Sequence, residues 1–413
     1  VTLRALGLLV VAAAVALVAS SSHWVGFLGD PAAWPQSDFQ ILWAAGHGLA
    51  EGRDVTDPAV LDEVGARAGR SATPFSASQP LVARLFGTTS EDFPGAYRTW
   101  LWLHGLLGAV AVLLLVRLLR GEGLGALAAC ALALAAVGLH DGLLMSLAMN
   151  STNLVTLAAV CAAALAARSG RPLAEGLALA VAVLAKTSPV LLVFVAALAG
   201  RVRVAVVAAG AWLLMTLGSV AWMGTAPHLA WWERTAPALG YAPERAAGEF
   251  SNALHAWNLS PHGLLARTAY RADWPRSLVL AAALAVAALV LWQLALAARS
   301  QRTAADAPTL TATALAGTLL VSSVTWPHHL VLAALPVALL AARWKEACAV
   351  ASVGLVAGVL LMTPLGLLDD DPALALEGPL RTGALVVMFG ALVALPARGA
   401  APDVSRIPAE GTP

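Results

Sequence analysis

The sequence predicts an all-α polytopic membrane protein, and three observations carry that prediction. Hydrophobic residues fill 59% of the 413 positions and charged residues only 12%, with a mean hydropathy of +0.77. Apolar runs recur at about 97–119, 124–139, 143–167, 173–199, 202–223, 277–298, 308–325, 329–343, 347–366 and 380–397. Lys and Arg gather at alternate ends of those runs, the distribution that sets orientation in a bilayer. A soluble domain of this length has no use for so much apolar surface.

The formal net charge of +1 gives no global basic field, so no nucleic-acid partner is expected. Cys130, Cys161 and Cys348 lie inside apolar runs without Cys-x-x-Cys or Cys/His spacing, which predicts small core residues, no disulfide framework and no metal site.

Leu3 to Ser20 is the first apolar run, with Arg4 near its start and serines following it. A cleaved signal peptide has a similar outline, but a retained first helix is favoured because it tethers the following segment to the membrane. Residues 21–96 form a large hydrophilic segment that is placed outside. Trp24, Trp34 and Trp43 suit an interface, and Leu61 to Ala68 resembles a short surface helix. Asp54 and Asp57-Pro58 read as turn formers.

Several later runs are short for a hydrocarbon core of ~30 Å, which needs about 20 helical residues, so tilted or partial helices are expected. The run 173–199 carries Lys186-Thr187-Ser188-Pro189 at its middle. Proline disrupts a helix, and an unpaired charge in hydrocarbon costs at least ~2.5 kcal/mol. Two short helices are therefore predicted, with Lys186 at an outer turn. With the N-terminus inside, that split puts Arg117/Arg120, Arg168/Arg171, Arg201/Arg203, Arg299/Arg302, Arg343/Lys345 and Arg398/Arg406 on the cytoplasmic side. The turns at His140-Asp141, Trp326 to His329 and Asp369 to Asp371 fall outside. A second large outer segment, 224–276, is rich in tryptophan. Residues 1–397 thus read as one integral-membrane domain, and 398–413 as a disordered cytoplasmic tail.

Polar residues that a membrane protein can omit collect at the outer face. They are Asp38, His47, Asn150, Ser151, Asn153 and Lys186, then Asn252, His255, Asn258, Ser260, His262 and Arg267, then His328 and His329. An outward site has no ATP or sugar nucleotide to draw on, and the chain carries no P-loop. An activated donor would have to arrive in the membrane as a lipid phosphate. Transfer from it needs a base for an acceptor hydroxyl and cations for the leaving phosphate. Asp38 suits the first role, and Lys186 with His328 or His329 the second. Each has a plainer reading as well: Asp38 as a helix cap, Lys186 as a snorkelling side chain, Asn150 and Asn153 as interhelical hydrogen-bonders. No cofactor and no metal is expected.

In order and spacing these residues resemble glycosyltransferase family 87, polyprenyl-phosphate-mannose-dependent enzymes of the GT-C superfold. Asp38-Phe39, Trp43, Ala45-Gly46 and Gly52 to Pro58 are similar to the family's early Asp-Phe and Gly-x-Asp-x-x-Asp-Pro-like turn. Asn150 to Asn153, Lys186 to Pro189, Asn258-Leu259-Ser260 with Arg267, and Ser322 to His329 resemble its later motifs. The chain departs at Ser78-Gln79-Pro80, Ser151 and Leu259, where the family has Tyr-Pro-Pro and two glutamines.

The resemblance implies a GT-C-type fold of about 11–12 membrane helices with a broken or re-entrant pair and two large outward loops. It implies a polyprenyl-phosphate sugar donor, a glycolipid or lipoglycan acceptor of the cell envelope, and inverting mannosyl transfer at the outer face of the cytoplasmic membrane. Asp38 is then the general base; Lys186, His328 and His329 bind the donor phosphate; His47, Asn150, Asn153, Asn258, Ser260 and Arg267 bind substrate. Arabinofuranosyl transfer from polyprenyl-phosphate arabinose is the nearest alternative. A lipid-linked sugar flippase is an alternative of another class, which would spread its polar residues through the bilayer.

Overall fold

A computed structural model describes residues 38–69, 78–238, 257–272, 274–362 and 371–398. The expected first span, Trp24, Trp34, Asn252, His255, Asp369, Asp370 and the tail beyond Arg398 lie outside the described residues. Among the described residues every regular element is helical.

The chain opens with three short helices, α1 (Asp38–Ala50), α2 (Pro58–Ala66) and α3 (Pro80–Phe86). Asp57 caps α2 by accepting from the Ala59 N–H, with Pro58 in the first turn, so the Asp-Pro step is the turn former its sequence suggests. Helices α1 and α3 cross in backbone contact. A Cβ added to Gly46 would sit 2.2 Å from the Gly87 nitrogen, so only glycine permits the crossing. Phe39, Trp43, Phe86, Phe93 and Tyr97 fill the core of this layer.

Helix α4 (Phe93–Gly121) follows, capped by Asp92 through the Gly95 N–H. Then come α5 (Ala126–Gly138), α6 (Asp141–Met149), α7 (Asn153–Arg168), α8 (Pro172–Ala185), α9 (Val190–Leu198) and α10 (Val202–Met223). The segment α11 (Ala226–Ala238) contains a π-helical turn at Trp231–Thr235. The last elements are α12 (Pro261–Arg271), α13 (Arg276–Ser300), α14 (Ala307–Val321), a 3₁₀ turn (Pro327–Ala333), α15 (Ala334–Ala342), α16 (Cys348–Met362) and α17 (Asp371–Val393).

Helices α4, α10 and residues 277–300 of α13 are long and apolar enough to cross a membrane, and the pair α5 and α6, bent by 56°, makes a fourth if taken as one span. Their outer faces carry exposed Trp102, Leu113, Leu214, Leu289 and Trp292, the surface a lipid solvent requires. Other apolar helices are shorter, as the run lengths predict. At the centre stands α14, buried from Ala307 to Leu320. Its Thr311, Thr313 and Thr318 hydroxyls donate to carbonyls one turn back, which satisfies them inside an apolar bundle.

The run 173–199 is broken at Lys186–Pro189, with Lys186 extended at the C-terminus of α8. Arg201, at the far end of α9, pairs with Glu175 in the first turn of α8, so the two helices go out and come back. The run read as 143–167 is broken too. Asn150 takes a left-handed conformation (φ 52°), caps α6 and redirects the chain into α7. Asparagine tolerates that region better than other non-glycine residues, so the break hides in an apolar run without glycine or proline.

Basic residues from successive loops meet at one end. Arg168 and Arg398 pair with Glu122, and Arg343 and Arg398 pair with Glu346. Of the cysteines only Cys161 is buried; Cys130 and Cys348 are exposed, which corrects their expected place in the core. Both lie on apolar helices whose outer faces are lipid-compatible, where a small thiol is as acceptable as in a core.

Candidate active site

Asp38 begins α1, and the rest of that helix fixes where its carboxylate sits. Phe39 is fully buried against Phe86, Phe93 and Tyr97, with ring centroids 5.5 to 5.7 Å apart. Trp43 packs on Phe93 and donates from Nε1 to the Ser90 carbonyl at 3.0 Å. With those rings and the Gly46–Gly87 crossing, α1 cannot rotate without opening the layer. The Asp38 side chain remains 34% exposed, while His328, whose Nε2 lies 3.2 Å from the Asp38 Oδ2, is buried.

His328 stands in the 3₁₀ turn at the end of the segment that leaves α14. Its backbone carbonyl accepts from Ser146 Oγ at 2.8 Å and from Asn153 Nδ2 at 3.2 Å. The other face of that Asn153 amide, Oδ1, accepts from Lys186 Nζ at 2.8 Å. One asparagine therefore joins the Lys186 break to the His328 turn, and both sit within electrostatic range of Asp38. Desolvation opposes ionisation of Asp38, but His328, Lys186 and His104 outweigh it and hold the carboxyl below its ordinary value. It is a carboxylate at neutral pH, able to accept a proton.

The other residues expected at the site divide. His329 turns its Nδ1 to the Trp326 N–H at 3.2 Å and meets His328 edge-on at 4.5 Å, so it shapes the turn. Asn258 and Ser260 form a knot. Asn258 Oδ1 accepts from the Ser260 and Thr325 N–H groups, Asn258 Nδ2 and Ser260 Oγ both donate to the Ser323 carbonyl, and Ser260 Oγ also caps α12 through Gly263. Arg267 Nη1 donates to the Asn258 carbonyl at 2.8 Å. In this arrangement those three side chains hold the segment Ser322–Thr325, which delivers His328.

Asn150 is wholly buried and donates from Nδ2 to the Tyr97 carbonyl at 2.9 Å. His47 lies nine residues along α1 from Asp38, ~14 Å at 1.5 Å per residue, stacked on Trp43 in the aromatic layer. The structure does not bring it to the carboxylate.

Two residues absent from the sequence reading belong to this place. Ser146 supports the His328 carbonyl and also meets Asn153 Nδ2 at 3.3 Å. His104 on α4 is fully buried and within electrostatic range of Asp38. An ionisable residue inside the run 97–119 was the available signal for His104, since such residues in spanning helices mark functional sites by default. Among the described residues no cluster has the ligands for a metal ion.

The arrangement offers an accessible carboxylate against a buried imidazole, with the Lys186 amine, whose pKa burial lowers to about 7, close by, at the end of the bundle opposite the Glu122 and Glu346 ion pairs. Such a site can accept a proton from a hydroxyl and stabilise a departing anion. No curated protein matches the chain. The family model described as glycosyltransferase family 87 matches residues 74–323, which takes in His104, Asn150, Asn153, Lys186, Asn258, Ser260 and Arg267 and stops short of Asp38 and His328 at either side. That match covers more than half of the sequence, and the chain belongs to glycosyltransferase family 87.

Proposed function

We propose that the protein transfers a mannosyl residue from a polyprenyl-phosphate donor to a hydroxyl of a cell-envelope glycolipid or lipoglycan, with inversion, at the outer face of the cytoplasmic membrane. The observation that carries this reading is the meeting of Asp38, His328 and Lys186 from three distant parts of the sequence, linked through Asn153. Asp38 takes the proton as the acceptor oxygen attacks the anomeric carbon. The bond from that carbon to the phosphate oxygen breaks, and its electron pair leaves with the lipid phosphate. Lys186 meets the charge that develops there. The contact at 3.2 Å favours His328 as the group that orients Asp38, with His329 beside it supporting the turn.

The outward orientation is supported by the arginine-rich end of the bundle, which the positive-inside distribution assigns to the cytoplasm. Among the described residues, Asp38, His328, Asn153 and Lys186 gather at one end of the bundle, which favours transfer over transport. The test is transfer by purified protein from labelled polyprenyl-phosphate mannose and polyprenyl-phosphate arabinose, with products separated by thin-layer chromatography. A mannosylated lipid made from the first donor alone is expected. An arabinosylated product, or labelled donor crossing vesicles without a new glycosidic bond, overturns the proposal.

A further inference from the structure

The break that presents Lys186 is held by a side chain that takes no part in the proposed chemistry. Helix α8 ends at Ala185, and the last four carbonyls of a helix lack partners within it. The Lys186 N–H, just past the end, donates to the Ala182 carbonyl at 3.0 Å. The Ala185 carbonyl accepts from Thr152 Oγ1 at 2.9 Å, and the Val183 carbonyl accepts from Gln79 Nε2 at 2.9 Å. Thr152 is the neighbour of Asn153, whose Oδ1 takes the Lys186 amine. Gln79 arrives from 104 residues away.

Local structure does not explain Gln79. It stands at the N-terminus of α3, but its side chain makes no capping bond there. The side chain is buried instead, and its Oε1 accepts from Trp212 Nε1 on α10 at 3.2 Å. An indole N–H can only donate and a carbonyl can only accept, so the two partners fix which way the amide faces. Removing either partner would leave a desolvated polar group, which makes the pair of bonds specific as well as stabilising. Gln79 also falls within a departure from the family's pattern, at Ser78-Gln79-Pro80, so the resemblance does not imply its grip.

What Gln79 joins gives it a role. Helix α3 crosses α1 at Gly46 and Gly87, and Phe86 of α3 packs on Phe39, the neighbour of Asp38. Val183 lies in the last turn of α8, three residues before Lys186. Through one amide, the layer that carries the carboxylate is tied to the helix end that carries the amine. Without it, that end of α8 could shift against α1, and a misplacement of ~1 Å can cost ~10²-fold in rate.

We propose that Gln79 is a positioning residue for transfer, which sets Lys186 relative to Asp38 by holding the end of α8 to α3 and α10; this rests on the role given to Lys186 above. Reductive methylation of the full-length protein in nanodiscs across a pH series, read by mass spectrometry, tests it without any sugar donor. Lys186 and the exposed Lys345 are the only lysines, so one reports and the other is the reference. Burial lowers the Lys186 amine to about 7 against the pull of Asp38, and His329 also faces it. In Gln79→Leu an amine released toward water should titrate about one unit higher, with Lys345 unmoved. Turnover should fall about 10-fold. In a Lys186→Met background the same substitution should cost no more than about 2-fold further, because the residue it acts through is gone. Trp212→Phe, which removes the anchor and leaves the grip, should move the Lys186 midpoint the same way and carries the test if Gln79→Leu does not fold. An unmoved midpoint in the folded variant, or a loss of full size on top of Lys186→Met, would overturn the assignment. A shifted midpoint in a protein whose parent transfers no mannose sinks the transfer reading alone. Normal transfer by Gln79→Leu with the midpoint in place sinks the positioning role alone.

Discussion

The two ends of the helical bundle both concentrate ionisable residues, and they use them in opposite ways. At one end Glu122, whose side chain is 1% exposed, is met by Arg168 and Arg398, and Glu346 is met by Arg343 and Arg398. Arg343 also donates to Thr309 and to the Pro396 carbonyl, while Asp306 accepts the Arg398 N–H. Charges there neutralise each other and staple loops far apart in sequence. At the other end Asp38 keeps an open side and faces an imidazole, and Lys186 is bonded to a neutral amide. A cluster that cancels itself holds a fold together; a cluster that leaves a carboxylate reachable and an amine held by a neutral partner is equipped for a substrate.

Substitutions at the two ends should therefore separate cleanly. The largest loss after Asp38 itself is expected at Lys186: Lys186→Met should lower kcat/KM for transfer by ~10²–10³-fold, the size of effect seen when one transition-state donor is removed, with the melting temperature nearly unchanged. A Lys186→Met protein that transfers normally would remove the proposed phosphate partner.

His328→Ala comes next, with a loss on the order of 10²-fold from a misplaced carboxylate. It carries a second signature. With Asp38 as the base proposed above, its ionised form would be the active one, so the rate should fall as pH drops through its lowered pKa. His328 is one of the groups that lower it. Removing that imidazole lets desolvation prevail, and the acid limb of the pH profile should move upward. A limb that stays in place would mean that His328 does not act on Asp38.

Glu122→Gln should give the smallest change in turnover and a clear change in stability. It leaves Arg168 without its carboxylate and Arg398 with Glu346 alone, which costs on the order of 2 kcal/mol after allowing for their partial exposure. Thermal unfolding in detergent would show it, with kcat within about 2-fold of the parent, since effects on sites far apart are nearly independent. A kcat that collapsed with Glu122→Gln would erase the distinction between the ends.

How far this division is legible in the sequence depends on whether its cause is local. The Lys186–Pro189 break is legible because a proline and a charge inside an apolar run are both local penalties. The basic loops are legible for the same reason. Asn150 is not: its left-handed turn needs neither glycine nor proline, so 143–167 looks continuous. Asn258, Ser260 and Arg267 look like substrate ligands because residue type reveals polarity and not partners, and the Ser323 carbonyl lies more than 60 residues on. His47 looks close to Asp38 in sequence, but the rise of α1 carries it away. His104 is hidden by the apolar residues around it, although its charge capacity in such a run is itself the clue.

The measurement that bears most directly on the account is mannosyl transfer by Asp38→Asn, made beside donor binding by the same preparation. Asparagine keeps the size of the side chain and can serve a helix N-terminus as well as aspartate does. It cannot accept the acceptor's proton, so transfer should fall by the ~10²–10⁴-fold that general-base catalysis supplies. Donor binding should barely move, because Lys186 and the Asn153 link are untouched. A well-folded Asp38→Asn protein that transfers mannose at close to the parental rate would contradict the claim that this carboxylate is the base.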